Sequence, residues 1–143
     1  QRFVVAIVAA FALAFAVTPA LAANTSDEGY NFYFYGGGAT QGTRPRPKTN
    51  TTPVYVRVDT ITISSVGLYV DGAYSSRGPW TNRTNGGSAP MSQVRGPGRY
   101  SIHTSVYESG RRWARLTGYS SWPSGSVYGV WSPDSTRTYT SLN

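Results

Sequence analysis

Apolar and polar residues alternate along most of this chain, with the two-residue period of strands rather than the 3.6-residue period of helices. Residues 53–58 show it cleanly: Val54, Val56 and Val58 fall on one face, Tyr55 and Arg57 on the other. The apolar parity then moves to Ile61 and Ile63, which predicts a bulge or tight bend near Asp59-Thr60. Residues 66–70 alternate again through Val66, Leu68 and Val70 and end at the turn dipeptide Asp71-Gly72. An aromatic strand is expected at 30–35, stopped by Gly36-Gly37-Gly38. Another is expected at 99–107, with Tyr100, Ile102 and Val106 on its apolar side. Glu108-Ser109-Gly110 then reads as a hairpin turn into a strand at 113–119, and 127–131 is the last. No window after residue 23 holds a helical period. The prediction is an all-β domain, a single antiparallel β-sandwich or small barrel of about six or seven strands.

Two stretches depart from this pattern. Residues 3–17 are almost wholly apolar, follow Arg2, and are succeeded by Thr18-Pro19 and then Ala20-Leu21-Ala22, which suits an A-x-A cleavage site. Residues 1–22 therefore read as a helical secretory signal peptide, with residues 23–143 as one secreted domain. The apolar run is about 15 residues, against the roughly 20 that a membrane span needs. No later run is long or apolar enough, so no transmembrane segment is expected after cleavage. The second stretch, 40–52, has no large apolar residue but contains Arg44, Arg46, Lys48 and two prolines. It is expected to be an exposed basic loop, whose three cations could contact a polyanion.

Composition narrows the chemistry. The chain has no cysteine, which for a small exported domain favours a bacterial source over a disulfide-stapled animal one. Of the 13 Lys and Arg, only Arg2 leaves with the leader; 12 basic residues face 6 acidic ones, a net charge of +6. One histidine and no cysteine disfavour zinc. His103 faces away from the apolar side of its strand and has no carboxylate pattern beside it. The acids Asp27, Glu28, Asp59, Asp71, Glu108 and Asp134 stand at strand ends or turns, where such residues have a structural reason to be. No catalytic set, metal site or cofactor is expected, and a non-catalytic role follows. Export and the lack of a recognition helix argue against nucleic acid as partner.

The aromatic content is the stronger clue: 4 Trp and 11 Tyr exceed what a small core hides. In 113–119, Ala114, Leu116 and Gly118 share one parity; Trp113, Arg115, Thr117 and Tyr119 share the other. With the first set inward, Trp113, Arg115 and Tyr119 form an outward aromatic-basic strip, joined by Tyr55, Arg57, His103 and Tyr107 from neighbouring strands. Such a surface can stack on sugar rings or hold an anionic polymer. The expected partner is a cell-envelope polymer or a target-cell surface.

The layout of the mature chain resembles that of small secreted proteins of Gram-positive bacteria that share a domain of unknown function. The resemblance rests on the aromatic first strand at 30–35, the Thr/Asn/Arg-rich stretch at 40–52, the strand TTPVYVRV at 51–58 and the Trp-bearing Gly/Ser-rich end at 119–131. It is also loosely similar to lactococcin-type bacteriocins, which implies an antibacterial protein as the alternative to a polymer-binding domain. An extracellular assembly protein docking through unpaired strand edges is the third alternative.

Overall fold

Strand β1 (Glu28–Phe34) sends Tyr30, Phe32 and Phe34 inward and leaves Asn31 and Tyr33 outside, as its alternation requires. The structure, a computed structural model, describes residues 22–88 and 90–143; the signal-peptide expectation falls on residues outside these, apart from Ala22. The remaining strands are β2 (Ala39–Gly42), β3 (Arg46–Pro47), β4 (Val54–Ile61), β5 (Val66–Ala73), β6 (Thr81–Asn82) and β7 (Ser92–Val94). They are followed by β8 (Gly98–Ile102), β9 (Trp113–Ser120), β10 (Gly125–Ser132) and β11 (Thr140–Ser141). Among the described residues there is no helix, and so none long and apolar enough to cross a membrane.

Two sheets face each other. The first, in the order β1-β10-β4-β8-β11, has five strands; the second runs β2-β9-β5-β6, with β3 also on β9 and β7 also on β5. Every pairing is antiparallel except that of β11 with β8. The sheets do not close into a barrel. Between them lie the β1 aromatics, Val54, Val56 and Val58 of β4, Leu68 and Val70 of β5, Leu116 of β9 and the fully buried Trp131 of β10. Each such side chain contributes roughly 1.5–3 kcal/mol by leaving water. The expected bulge is present: Val58 pairs with Gly129 and Thr60 with Tyr128, so Asp59 is the extra residue. Gly129 lies against the Arg57 carbonyl, where no Cβ could fit.

Three local expectations are corrected. Asp71-Gly72 is no turn. Both residues are buried within β5, and Gly72 lies so close to Val106 that a Cβ would meet it at 3.0 Å. Glu108-Ser109-Gly110 does turn the chain, with Gly110 at φ 86°, but it joins two sheets rather than two hairpin strands. Strand β8 has already ended at Ile102, and the chain then crosses from the first sheet to β9 of the second.

The largest correction concerns 40–52. It is not an exposed loop: β2 and β3 pair along β9, and Lys48 is buried to 1 % exposure. Lys48 Nζ donates to the carbonyls of Thr52 (2.6 Å) and Pro133 (2.9 Å) and to Asp134 Oδ1 (2.8 Å). Asp134 Oδ2 in turn accepts from the Asn24 N–H, the Thr49 N–H and the Thr49 hydroxyl. Arg46 is buried as well, donating to the Trp131 carbonyl, Asn24 and Ser26. These polar residues are buried because each of these charged groups finds partners.

Where the sheets meet beside β1, the Gln41 side-chain amide bonds both to the Tyr33 N–H and to its carbonyl. It occupies part of an edge that would otherwise lie open.

Candidate functional site

On β9 the inner parity is Ala114, Leu116 and Gly118, and the outer is Trp113, Arg115, Thr117 and Tyr119. Gly118 has no side chain because Phe32 and Phe34 occupy the space beneath it. The neighbour on the outer face is β5, whose register sets Asp71 opposite Arg115, Tyr69 opposite Thr117 and Gly67 opposite Tyr119. Met91 lies over Gly67 and fills the place of a side chain there. The result is a shallow trough of about 410 Å³ walled by Tyr69, Tyr119 and Met91, with Asp71 and Asn82 as its polar lining.

The chemistry of that trough centres on Asp71. Its Oδ2 accepts from Arg115 Nε and from the Thr117 hydroxyl, each at 3.0 Å. Its Oδ1 takes no hydrogen bond from any described residue. The Arg115 guanidinium stacks 4.6 Å from the Trp80 ring centre, and its two terminal nitrogens are likewise without a described acceptor. Burial, with the nearby Asp71 charge, raises the Tyr69 phenol above its ordinary value. Asn82 serves the frame, donating to the Pro90 carbonyl and accepting from the Thr84 N–H.

The other expected site residues do not join this face. Tyr55 and Arg57 lie on the outer side of the first sheet, the opposite face of the sandwich. Tyr55 is packed against Tyr139 at 4.7 Å between ring centres, and Arg57 is bound by Asp59 at 2.7 Å. His103 follows β8, and its backbone is tied to Asn143 and Asn85. Tyr107 lies under the Arg112 guanidinium at 3.9 Å, in the connection between β8 and β9. One expected strip is therefore dispersed over several separate places.

The polyanion-contact expectation for Arg44, Arg46 and Lys48 is corrected in the same way. Lys48 and Arg46 are interior, and the exposed Arg44 pairs with Glu28 at 2.9 Å. Glu28, half-buried, also lies 3.4 Å from Arg46. Carboxylates take up the charge of the segment that looked most basic.

Residues absent from the expected strip prove more exposed than those in it. Tyr33 (48 %), Tyr128 (44 %) and Tyr35 (82 %) project from the outer side of β1 and β10 and the turn after β1. The signal for Tyr33 and Tyr35 was the outward parity of 30–35, the counterpart of Tyr30, Phe32 and Phe34; that for Tyr128 was the alternation between Val127 and Gly129. Trp80 and Asp71 had no such signal, since a loop and a supposed turn dipeptide carry them. Among the described residues no three His, Cys, Asp or Glu cluster to hold a metal ion.

No curated protein and no solved structure matches this chain, so the likeness to bacteriocins finds no support among known proteins. One family does match, over residues 18–135, and the chain belongs to it: DUF2712, a family of proteins of unknown function.

Proposed function

We propose that this is a non-catalytic extracellular domain that binds a glycan polymer of a cell envelope in the trough between β5 and β9. The supporting observation is the unpartnered Asp71 Oδ1 in a trough whose walls are the rings of Tyr69 and Tyr119, with Arg115, whose terminal nitrogens have no described acceptor, opposite Asp71. A sugar offers apolar C–H faces and hydroxyl rims. The tyrosine rings suit the first, while a carboxylate acceptor and guanidinium donors suit the second. Because Asp71 neutralises Arg115, the trough favours a neutral or weakly charged saccharide over a strongly anionic one.

The test is retention on purified bacterial cell-wall polysaccharide, compared between the native protein and Tyr119→Ala or Tyr69→Ala. Both rings border solvent and neither hydroxyl bonds to a described residue, so the fold should tolerate both changes. The reading expects retention by the native chain and its loss in each variant. Equal retention by all three, or none by the native chain, overturns it.

A further inference from the structure

The outer side of the first sheet carries a second cleft, of about 290 Å³, lined among others by Thr25, Asp27, Tyr55, Arg57, Arg99 and Tyr139. Its construction differs from that of the trough. Arg57 of β4 and Arg99 of β8 are direct cross-strand partners, so two like charges emerge side by side from one face. That arrangement is destabilising unless a counter-charge lies between them. Asp59 supplies one for Arg57 alone, binding Nε and Nη2 and leaving Nη1 free. Arg99 is exposed and makes no ion pair or side-chain hydrogen bond with any described residue.

The groups around this pair are mostly donors awaiting an acceptor. The Tyr55 hydroxyl and the hydroxyls of Thr25 and Thr136 line the cleft without a described partner. Asp134 also borders it, but its carboxylate is turned inward to Lys48, Thr49 and Asn24. Asp27 is the one acid in the lining that no cation bonds.

We infer that this cleft is a binding site for a monoanionic phosphodiester, such as the linkage of a polyol-phosphate polymer, held by Arg99 and the free edge of Arg57. Guanidinium groups match phosphate oxygens in geometry and charge, and the surrounding hydroxyls can donate to the oxygens that remain. Asp27 sets the preference. A dianionic monoester would meet its repulsion more strongly than a singly charged diester. The site shares no residue with the glycan trough and lies on the opposite face, so the two readings stand or fall separately.

The experiment titrates glycerophosphoglycerol, a phosphodiester, into the folded protein and follows backbone and side-chain NMR shifts, with glycerol phosphate as the monoester comparison. The expected result is saturable perturbation of Arg99, Tyr55, Thr136 and Tyr139, weakened by added salt and smaller for the monoester. Arg99→Ala should lower the affinity at least tenfold, whereas Tyr119→Ala should leave it unchanged. Asp27→Asn should narrow the gap between diester and monoester. Absence of saturable shifts, shifts confined to β5 and β9, or an Arg99→Ala affinity equal to the native one would each overturn the assignment.

Discussion

Two acid–base pairs are built into this sandwich from similar groups, and they end in opposite conditions. Lys48 and Asp134 meet at 2.8 Å with both side chains wholly inside, and backbone and hydroxyl groups take up the rest of their hydrogen-bonding capacity. Arg115 and Asp71 meet at 3.0 Å, with the arginine about a third exposed. One carboxylate oxygen and two guanidinium nitrogens there are left without a described partner. The first pair joins residues 22–26, 48–52 and 133–135 into one knot. The second holds its groups still without using them up. Satisfaction of the hydrogen-bonding groups, rather than charge or burial alone, separates a saturated pair from one with bonding capacity left over.

That contrast can be broken most decisively at the interior pair. Lys48→Met leaves a buried carboxylate without its cation and should cost about 3–5 kcal/mol, read as the loss in urea-unfolding free energy. Changing both partners together, Lys48→Met with Asp134→Leu, should recover a substantial part of that loss. A single variant as stable as the native protein would mean the pair does not organise the region.

Acid offers a gentler way to the same pair. Burial alone would raise the Asp134 carboxyl, but the hydrogen bond and charge of Lys48, with help from Thr49 and Asn24, bring it below its ordinary 3.8. A carboxyl whose folded pKa is depressed stabilises the fold above its unfolded pKa and loses that contribution as pH falls through the folded one. Urea midpoints should therefore fall as pH drops below about 4, following the carboxyl's ordinary pKa. Asp134→Asn should flatten that dependence; an unchanged slope would assign it to other acids.

At the trough the effect on stability should be smaller and that on binding larger. Asp71→Asn keeps the shape and the Oδ contact to Thr117, so thermal unfolding should shift by no more than about 1 kcal/mol. Glycan retention should fall sharply, because an NH2 donor takes the place of the free carboxylate acceptor. The smallest effect is expected at Arg44→Ala, which removes an exposed, solvent-screened ion pair and should leave the urea midpoint essentially unchanged. A larger loss there would mean the Glu28 side chain anchors more than its surroundings indicate.

Much of this architecture was legible in the residue order, and the reasons are local. Parity along 53–58, 66–70 and 113–119 assigns inner and outer faces because a strand side chain has only two directions to choose from. The bulge at Asp59 was visible because apolar residues can change parity and still face one core only if the strand takes in an extra residue. What stayed hidden depends on pairing between distant strands. Nothing near residue 48 announces that Asp134 will meet it, and a polar stretch with two prolines reads as surface. Likewise, the partition of Tyr55 and Arg57 from Trp113 and Arg115 follows from sheet membership, which alternation does not encode. The short strands β2, β3, β6, β7 and β11 have two to four residues each, too few to show a period.

The Gln41 amide against Tyr33 has a consequence for a protein that would gather on a repetitive surface. Molecules lined up along a polymer reach local concentrations at which a bare sheet margin recruits its neighbour, and one recruitment exposes the next. An amide carries the same donor and acceptor as a peptide unit but leads nowhere, so the ladder ends within the molecule. At Tyr33 the margin of β1 then has no free peptide group to offer a neighbouring copy.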